Sequence, residues 1–202
     1  MATLTSKPSG SAPRTRNPQA TKARLAAAAT EEFAAYGIAG ARIDRIEAAA
    51  NANRALIYSY FGSKDGLFDA VMDAAVARVL AEVPFTPDDL PGYAGRLFDF
   101  LVANPHQLRL ATWHRLERVG TGHDTPGLTD SHRLNTAAVV DAQGRHQAPS
   151  SFAAEDLYIF TLALASAWIP ASPYAPAAAV AGEPERHRAA VVAAVRRLTN
   201  PH

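Results

Sequence analysis

The chain has 202 residues, 48% of them apolar, no cysteine and a formal net charge of +1. That length buries a core without staples, and the missing cysteines exclude disulfide frameworks, thiol nucleophiles and cysteine-based zinc sites. No apolar run reaches the roughly 18 residues of a membrane span, and the first 24 residues hold no signal-like apolar core, so the expectation is a cytoplasmic protein with no membrane partner.

Residues 1–18, rich in Ser, Thr, Pro and Gly with scattered basic groups, form an expected flexible basic arm. From Gln19 the pattern becomes helical: Leu25, Ala29, Phe33 and Tyr36 share a stripe, and Gly37 stops the helix. A short second helix runs from Ile43 to Ala50, with Ile43 and Ile46 on one face. Asn51 suits the left-handed turn that follows. Asn53 is placed to cap a third helix, Arg54 to Phe61, which Gly62 ends. Ser63 then opens a long fourth helix to about Val83. Further helical stretches are expected at about 92–103, 105–119, 128–142, 153–169 and 185–199, with no sustained β-alternation and no internal repeat. The chain therefore reads as all-α, with about nine helices.

Charge is unevenly spread. Residues 1–64 carry nine basic and four acidic side chains, the remainder eleven and fifteen. A basic first third points to an anionic partner. Three short helices there, the second and third joined by a tight turn, suggest a helix-turn-helix. On the third helix Ile57 and Phe61 face inward, while Ala55, Tyr58 and Ser59 face outward, with Arg54 and Leu56 at the edges. A small, hydroxylic and basic outer face suits entry into a major groove about 12 Å wide. Tyr58 and Tyr60 can send phenols to phosphates, and Lys64 sits at the positive end of the fourth helix, a ready phosphate site.

Residues 46–67, IEAAANANRALIYSYFGSKDGL, resemble the tetracycline-repressor (TetR-like) family of bacterial transcriptional regulators. The resemblance rests on Ile46, Ala50, Tyr58, Tyr60, Phe61, Ser63, Lys64 and Leu67, and the FAAYG run at 33–37 fits the family's first helix. Departures are Asn51 for the family's turn Gly, Ala52 for its Val, Asn53 for its capping Ser, Ala55 for a Gly, and Arg42 for the Thr or Ser opening the second helix. The resemblance implies base-reading positions at Arg54, Ala55, Leu56 and Ser59, with backbone contacts from Arg42, Tyr58, Tyr60 and Lys64. Asn53 caps the reading helix among them. Arg14 and Arg16 are candidates for a neighbouring minor groove, or belong to a solvated tail.

It further implies a small-molecule effector that releases a palindromic DNA operator, and a homodimer. The domain expectation is an arm (1–18), a helix-turn-helix DNA-binding domain (19–64) and a larger helical effector-binding and dimerisation domain (65–202). The stretch 153–169 is apolar nearly all round, so a partner subunit is its natural cover. Together with 185–199 it suggests half of a symmetric four-helix interface. Phe98, Leu101, Leu110, Trp113 and Glu117, with Phe160 and Trp168 as weaker additions, are candidates to line an effector cavity, although each taken singly suits a plain core better.

No G-x-S-x-G, glycine-rich phosphate loop or H-E-x-x-H occurs, so neither enzyme nor cofactor is expected. His114 and Glu117 are only half of a metal site. The acidic Asp44 near the reading face and the altered turn keep one other reading open: a helical dimer that binds a ligand, or acts as an adaptor, without reading DNA.

Overall fold

The computed structural model describes residues 17–118, 120–121, 125–174 and 182–200. Among them are nine helices and no strand: α1 (Pro18–Gly40), α2 (Ile43–Ala50), α3 (Arg54–Phe61), α4 (Lys64–Glu82), α5 (Leu90–Ala103), α6 (His106–Arg118), α7 (Pro126–Gly144), α8 (Ala154–Ser166) and α9 (Pro184–Thr199). The all-α expectation and the helix order hold. Two of the eighteen arm residues, Asn17 and Pro18, instead start α1; residues 1–16, with Arg14 and Arg16, lie outside the described residues. Asn17 caps the helix by accepting from Gln19 N–H at 3.0 Å, and Pro18 needs no partner for the N–H it lacks.

The first three helices are set by short polar residues at their ends. Asn51 adopts the left-handed conformation (φ 46°, ψ 53°) and closes α2. Asn53 Oδ1 then accepts from Leu56 N–H at 3.1 Å to open α3. Ser63 Oγ does the same for α4, accepting from Gly66 N–H at 2.9 Å. These caps fix where each helix starts, and so which face turns inward. Leu25, Phe33, Ile46, Ile57, Leu67 and Phe68 are all fully buried in one core. Each such side chain contributes roughly 1.5–3 kcal/mol through burial. Phe33 and Phe68 meet edge to face at 5.1 Å, locking α1 to α4.

That core does not end at α3. Val71 and Met72 of α4 and Leu110 of α6 belong to it as well. A second core, from Leu90, Phe98, Leu157, Ile169, Val191 and Val195 among others, joins α5, α8 and α9. The apolar stretch at 153–169 ends as a helix at Ser166, earlier than its composition suggests. Its inner face buries Leu157, Thr161 and Ala165, while Ile159 and Phe160 stay 42% and 40% exposed.

At Gly37 the first helix kinks (φ 71°, ψ −174°). A Cβ at that position would collide with Glu117 and Trp113 of α6, so glycine meets both a backbone and a space requirement. A continuous helix would pair Ile38 N–H with the Ala34 carbonyl and Ala39 N–H with the Ala35 carbonyl. The α6 helix supplies partners to all four groups. Glu117 accepts from Ile38 N–H at 3.2 Å and Ala39 N–H at 2.7 Å. Arg109 donates to the Ala34 carbonyl at 2.6 Å and to that of Ala35 at 3.4 Å, and Trp113 Nε1 reaches Ala34 at 3.3 Å.

Candidate nucleic-acid interface and effector cavity

The outward face of α3 is as the helical wheel arranges it. Ala55, Tyr58 and Ser59 are exposed, and Arg54 flanks them. Ile57 is fully buried beneath, so the face cannot roll. Leu56, expected among the base-reading positions, lies at the edge of this face. It is half-buried and packs on the head core, so its side chain supports the helix. Tyr60 likewise packs on that core, edge to face with Phe61 at 6.3 Å. Asn53 uses its side-chain oxygen for capping, as expected.

The basic residues are not bare. Arg54 Nε donates to Glu47 Oε1 at 2.8 Å, and Arg42 makes a two-pronged contact with Asp44 at 3.0 and 2.7 Å. Each guanidinium is pushed further up by its carboxylate partner, chiefly through the hydrogen bond. The Arg42 bond holds the Asp44 carboxyl below the usual carboxylate range. Lys64 was expected on a phosphate. In this structure, which holds no DNA, its Nζ donates to the carbonyls of Ala41 at 3.2 Å and Ala39 at 3.4 Å, pinning the start of α4 to the turn between α1 and α2. The physical reason is reach: the free carbonyls after the Gly37 kink lie within one lysine length.

A carboxylate missed in the sequence completes the head. Glu32 is 8% exposed; it accepts from Arg42 N–H and from Arg45 Nε, both at 2.8 Å. It thereby satisfies the start of α2, where Arg42 has replaced a hydroxyl cap. The E-E-F run at 31–33 carried the signal, since Glu32 lies one position from Phe33 on the stripe side of the helix.

Between α4, α5, α6, α7 and α8 lies a cavity of about 270 Å³. Its walls are mostly aliphatic, from Met72, Val79, Leu97, Leu101 and Leu162 among others, with Tyr93, Gln107, Ser131, Asn135, Tyr158 and Ser166 as polar points. Of the seven residues expected there, only Leu101 is on the wall. Phe98 faces the α5–α8–α9 core, and Leu110 belongs to the head core. Trp113 and Glu117 are spent on α1. Phe160 is at the surface against Phe152, and Trp168 stacks on buried His187 at 3.9 Å. The missed wall residues have a partial sequence signal: Leu128, Ser131 and Asn135 recur at helical spacing on α7. His114 and Glu117 do not share a ligand: His114 Nε2 lies 2.9 Å from Thr125 Oγ1. No group of three metal-binding side chains occurs among the described residues, and no described helix is long and apolar enough to cross a membrane.

Comparison with known proteins settles the family. Residues 25–71 match the model for bacterial regulatory proteins of the tetR family, and residues 89–197 match that for the tetracyclin repressor-like C-terminal domain.

The chain belongs to the TetR family.

It is a DNA-binding transcriptional regulator, and TetR-family regulators act as homodimers under small-molecule control. Among TetR-family relatives, the HTH-type transcriptional repressor SCO4008 of Streptomyces coelicolor is 42% identical over 154 residues, 75% of this chain and 79% of its own length. The solved structure of SCO4942 from Streptomyces coelicolor is 35% identical with a TM-score of 0.78, covering 89% of this chain and 98% of that one. Salmonella enterica GusR shares the fold at 18% identity, with a TM-score of 0.66 over 92% and 98% of the two chains.

Proposed function

We propose that this TetR-family regulator is a repressor whose α3 reads a palindromic operator, and that a small molecule in the α4–α8 cavity releases it. The observation that carries the reading is the α3 face. Ala55, Tyr58 and Ser59 are free on a helix whose opposite side is anchored by Ile57 and whose start is fixed by Asn51 and Asn53. On DNA, Arg54 exchanges Glu47 for a base edge, most simply a guanine, while Tyr58 reaches a phosphate.

Two helices tie the cavity to this face. The α4 helix carries wall residues Met72 and Val79, and its first turn is fastened to the head by Lys64, Leu67 and Phe68. The α6 helix carries wall residues Leu108 and Ala111, and further along holds the kinked end of α1 through Glu117. Arg118, 5% exposed, joins the two helices by donating to Asp65 at 2.8 Å. A ligand that favours a different spacing of α4 and α6 therefore changes the pitch of the reading head. It acts only through its differential affinity for the two arrangements. The exposed Ile159 and Phe160 on α8, with α9 beside them, form the dimer face in this reading, which sets two heads about 34–36 Å apart.

Selection of binding sites from random duplexes by the full-length protein tests this. An inverted repeat should emerge, and Arg54→Ala should lose preference at one guanine in each half-site. Recovery of no repeat refutes the reading.

A further inference from the structure

The cavity holds more chemical information than its volume. None of its wall residues is charged. One imidazole, His132, meets the Tyr158 ring at 5.5 Å but is engaged at the surface with Glu155 at 3.2 Å. An ion brought into such walls would lose its hydration with no opposite charge to replace it.

The polar wall residues are Gln107, Ser131, Asn135, Ser166 and two tyrosines; Ser166 is spent on the Leu162 carbonyl, and the two tyrosines are phenols with a proton to give. Tyr93 is 3% exposed, lines the cavity, and its hydroxyl has no hydrogen-bond partner among the described residues. Tyr158 is 5% exposed; its oxygen accepts from Asn135 Nδ2 at 3.0 Å, which leaves the phenolic proton available. Phe85 stands between the two rings, edge to face with Tyr93 at 4.9 Å and with Tyr158 at 5.4 Å, so both are held in place. Burial, with the neighbouring Tyr158, pushes the Tyr93 phenol up, so it stays a donor at any physiological pH. A donor with no protein partner on an otherwise apolar wall is one that a ligand oxygen can satisfy.

We infer that the cavity takes an uncharged, mainly apolar molecule carrying an acceptor oxygen, a ketone or ester in class, whose oxygen is read by the Tyr93 and Tyr158 hydroxyls. Size follows from volume. An apolar cavity of about 150 Å³ holds a benzene-sized ligand, so this one accommodates about ten to twelve non-hydrogen atoms. Carboxylates and amines of the same length are rejected by the uncharged walls. The inference rests on the cavity being the effector site, and deepens that reading by naming what enters.

The test compares three probes of one chain length, 2-decanone, decanoate and decylammonium, by calorimetry on the full-length protein. The ketone should bind at least ~10-fold more tightly than either ion. Tyr93→Phe and Tyr158→Phe should each weaken the ketone by ~3–10-fold; Tyr93→Phe should leave the unliganded melting temperature unchanged, since it removes a hydroxyl with no protein partner, whereas Tyr158→Phe should lower it by taking away the acceptor of Asn135. Asn135→Leu, which removes the group orienting Tyr158, should weaken it too. Ions that bind as well as the ketone, or phenylalanine variants that bind it like the parent, overturn the inference. The same probes are then added to a complex with the selected duplex. Ketone binding with the expected selectivity but no DNA release supports the inference and refutes the effector role. Release by decanoate as readily as by ketone refutes the inference and leaves the effector role standing.

Discussion

Replacing Lys64 by methionine separates two roles that its position allows. In the structure its ammonium donates to two backbone carbonyls, Ala41 at 3.2 Å and Ala39 at 3.4 Å, from a half-buried site. A hydrogen bond to a charged group contributes about 1.5–3 kcal/mol net. Only the shorter contact lies within the usual range of length, so the lower end applies. Methionine keeps most of the apolar stem. Lys64→Met should therefore cost about 1–2 kcal/mol, which for a chain of this size lowers the melting temperature by about 2–8 °C. Urea denaturation gives the free energy directly. DNA titrations at several salt concentrations give the second readout. A lysine bound to phosphate contributes about 0.9 to the slope of log K against log salt. A lysine committed to carbonyls contributes much less, so the slope of the variant should stay within about 0.3 of the parent. Unchanged stability with a slope lowered by about 0.9 would refute the structural role and restore the phosphate contact read from the sequence.

Three further outcomes follow from the same geometry. Glu47→Gln frees the Arg54 guanidinium, so binding to scrambled duplex should strengthen and its salt slope steepen by up to about 0.9; an unchanged slope would show that the pair does not restrain Arg54. Gly37→Ala places a Cβ at positive φ against Glu117 and Trp113 and should cost about 2–4 kcal/mol by urea denaturation, whereas a neutral result would contradict the kink. Tyr93, with its folded pKa raised by burial, favours folding fully below the ordinary tyrosine value near 10 and loses that contribution as pH rises above it, because the unfolded chain ionises first. Stability measured from about pH 8 to 11 should therefore fall less steeply in Tyr93→Phe; parallel curves would refute the assignment.

Much of the reading head is legible in the sequence because its signals are local. Asn51, Asn53, Ser63 and Gly62 each act within a few residues, and the i, i+4 relation of Ile57 and Phe61 sets the inner face. What the sequence conceals is long-range. Glu117 and Ile38 are 79 positions apart, and no periodicity marks a carboxylate destined for a kinked helix end. The same applies to the cavity. Helix α5 is apolar on several sides, so Phe98 and Leu101 look equivalent in sequence. Only the packing of α8 and α9 turns Phe98 to the core and leaves Leu101 on the wall. Lys64 shows the limit of a positional argument: a lysine at a helix start is well placed for phosphate, but nearby unpaired carbonyls compete for it.

The most direct test of regulation by DNA binding is fluorescence anisotropy of the full-length protein with the duplex flanking its own gene, against a scrambled duplex of equal length at several salt concentrations. A preference of about 10³-fold or more, with a steep salt slope and loss on Arg54→Ala, is the expected result. Equal, weak binding to both duplexes and to the Arg54→Ala variant would contradict it.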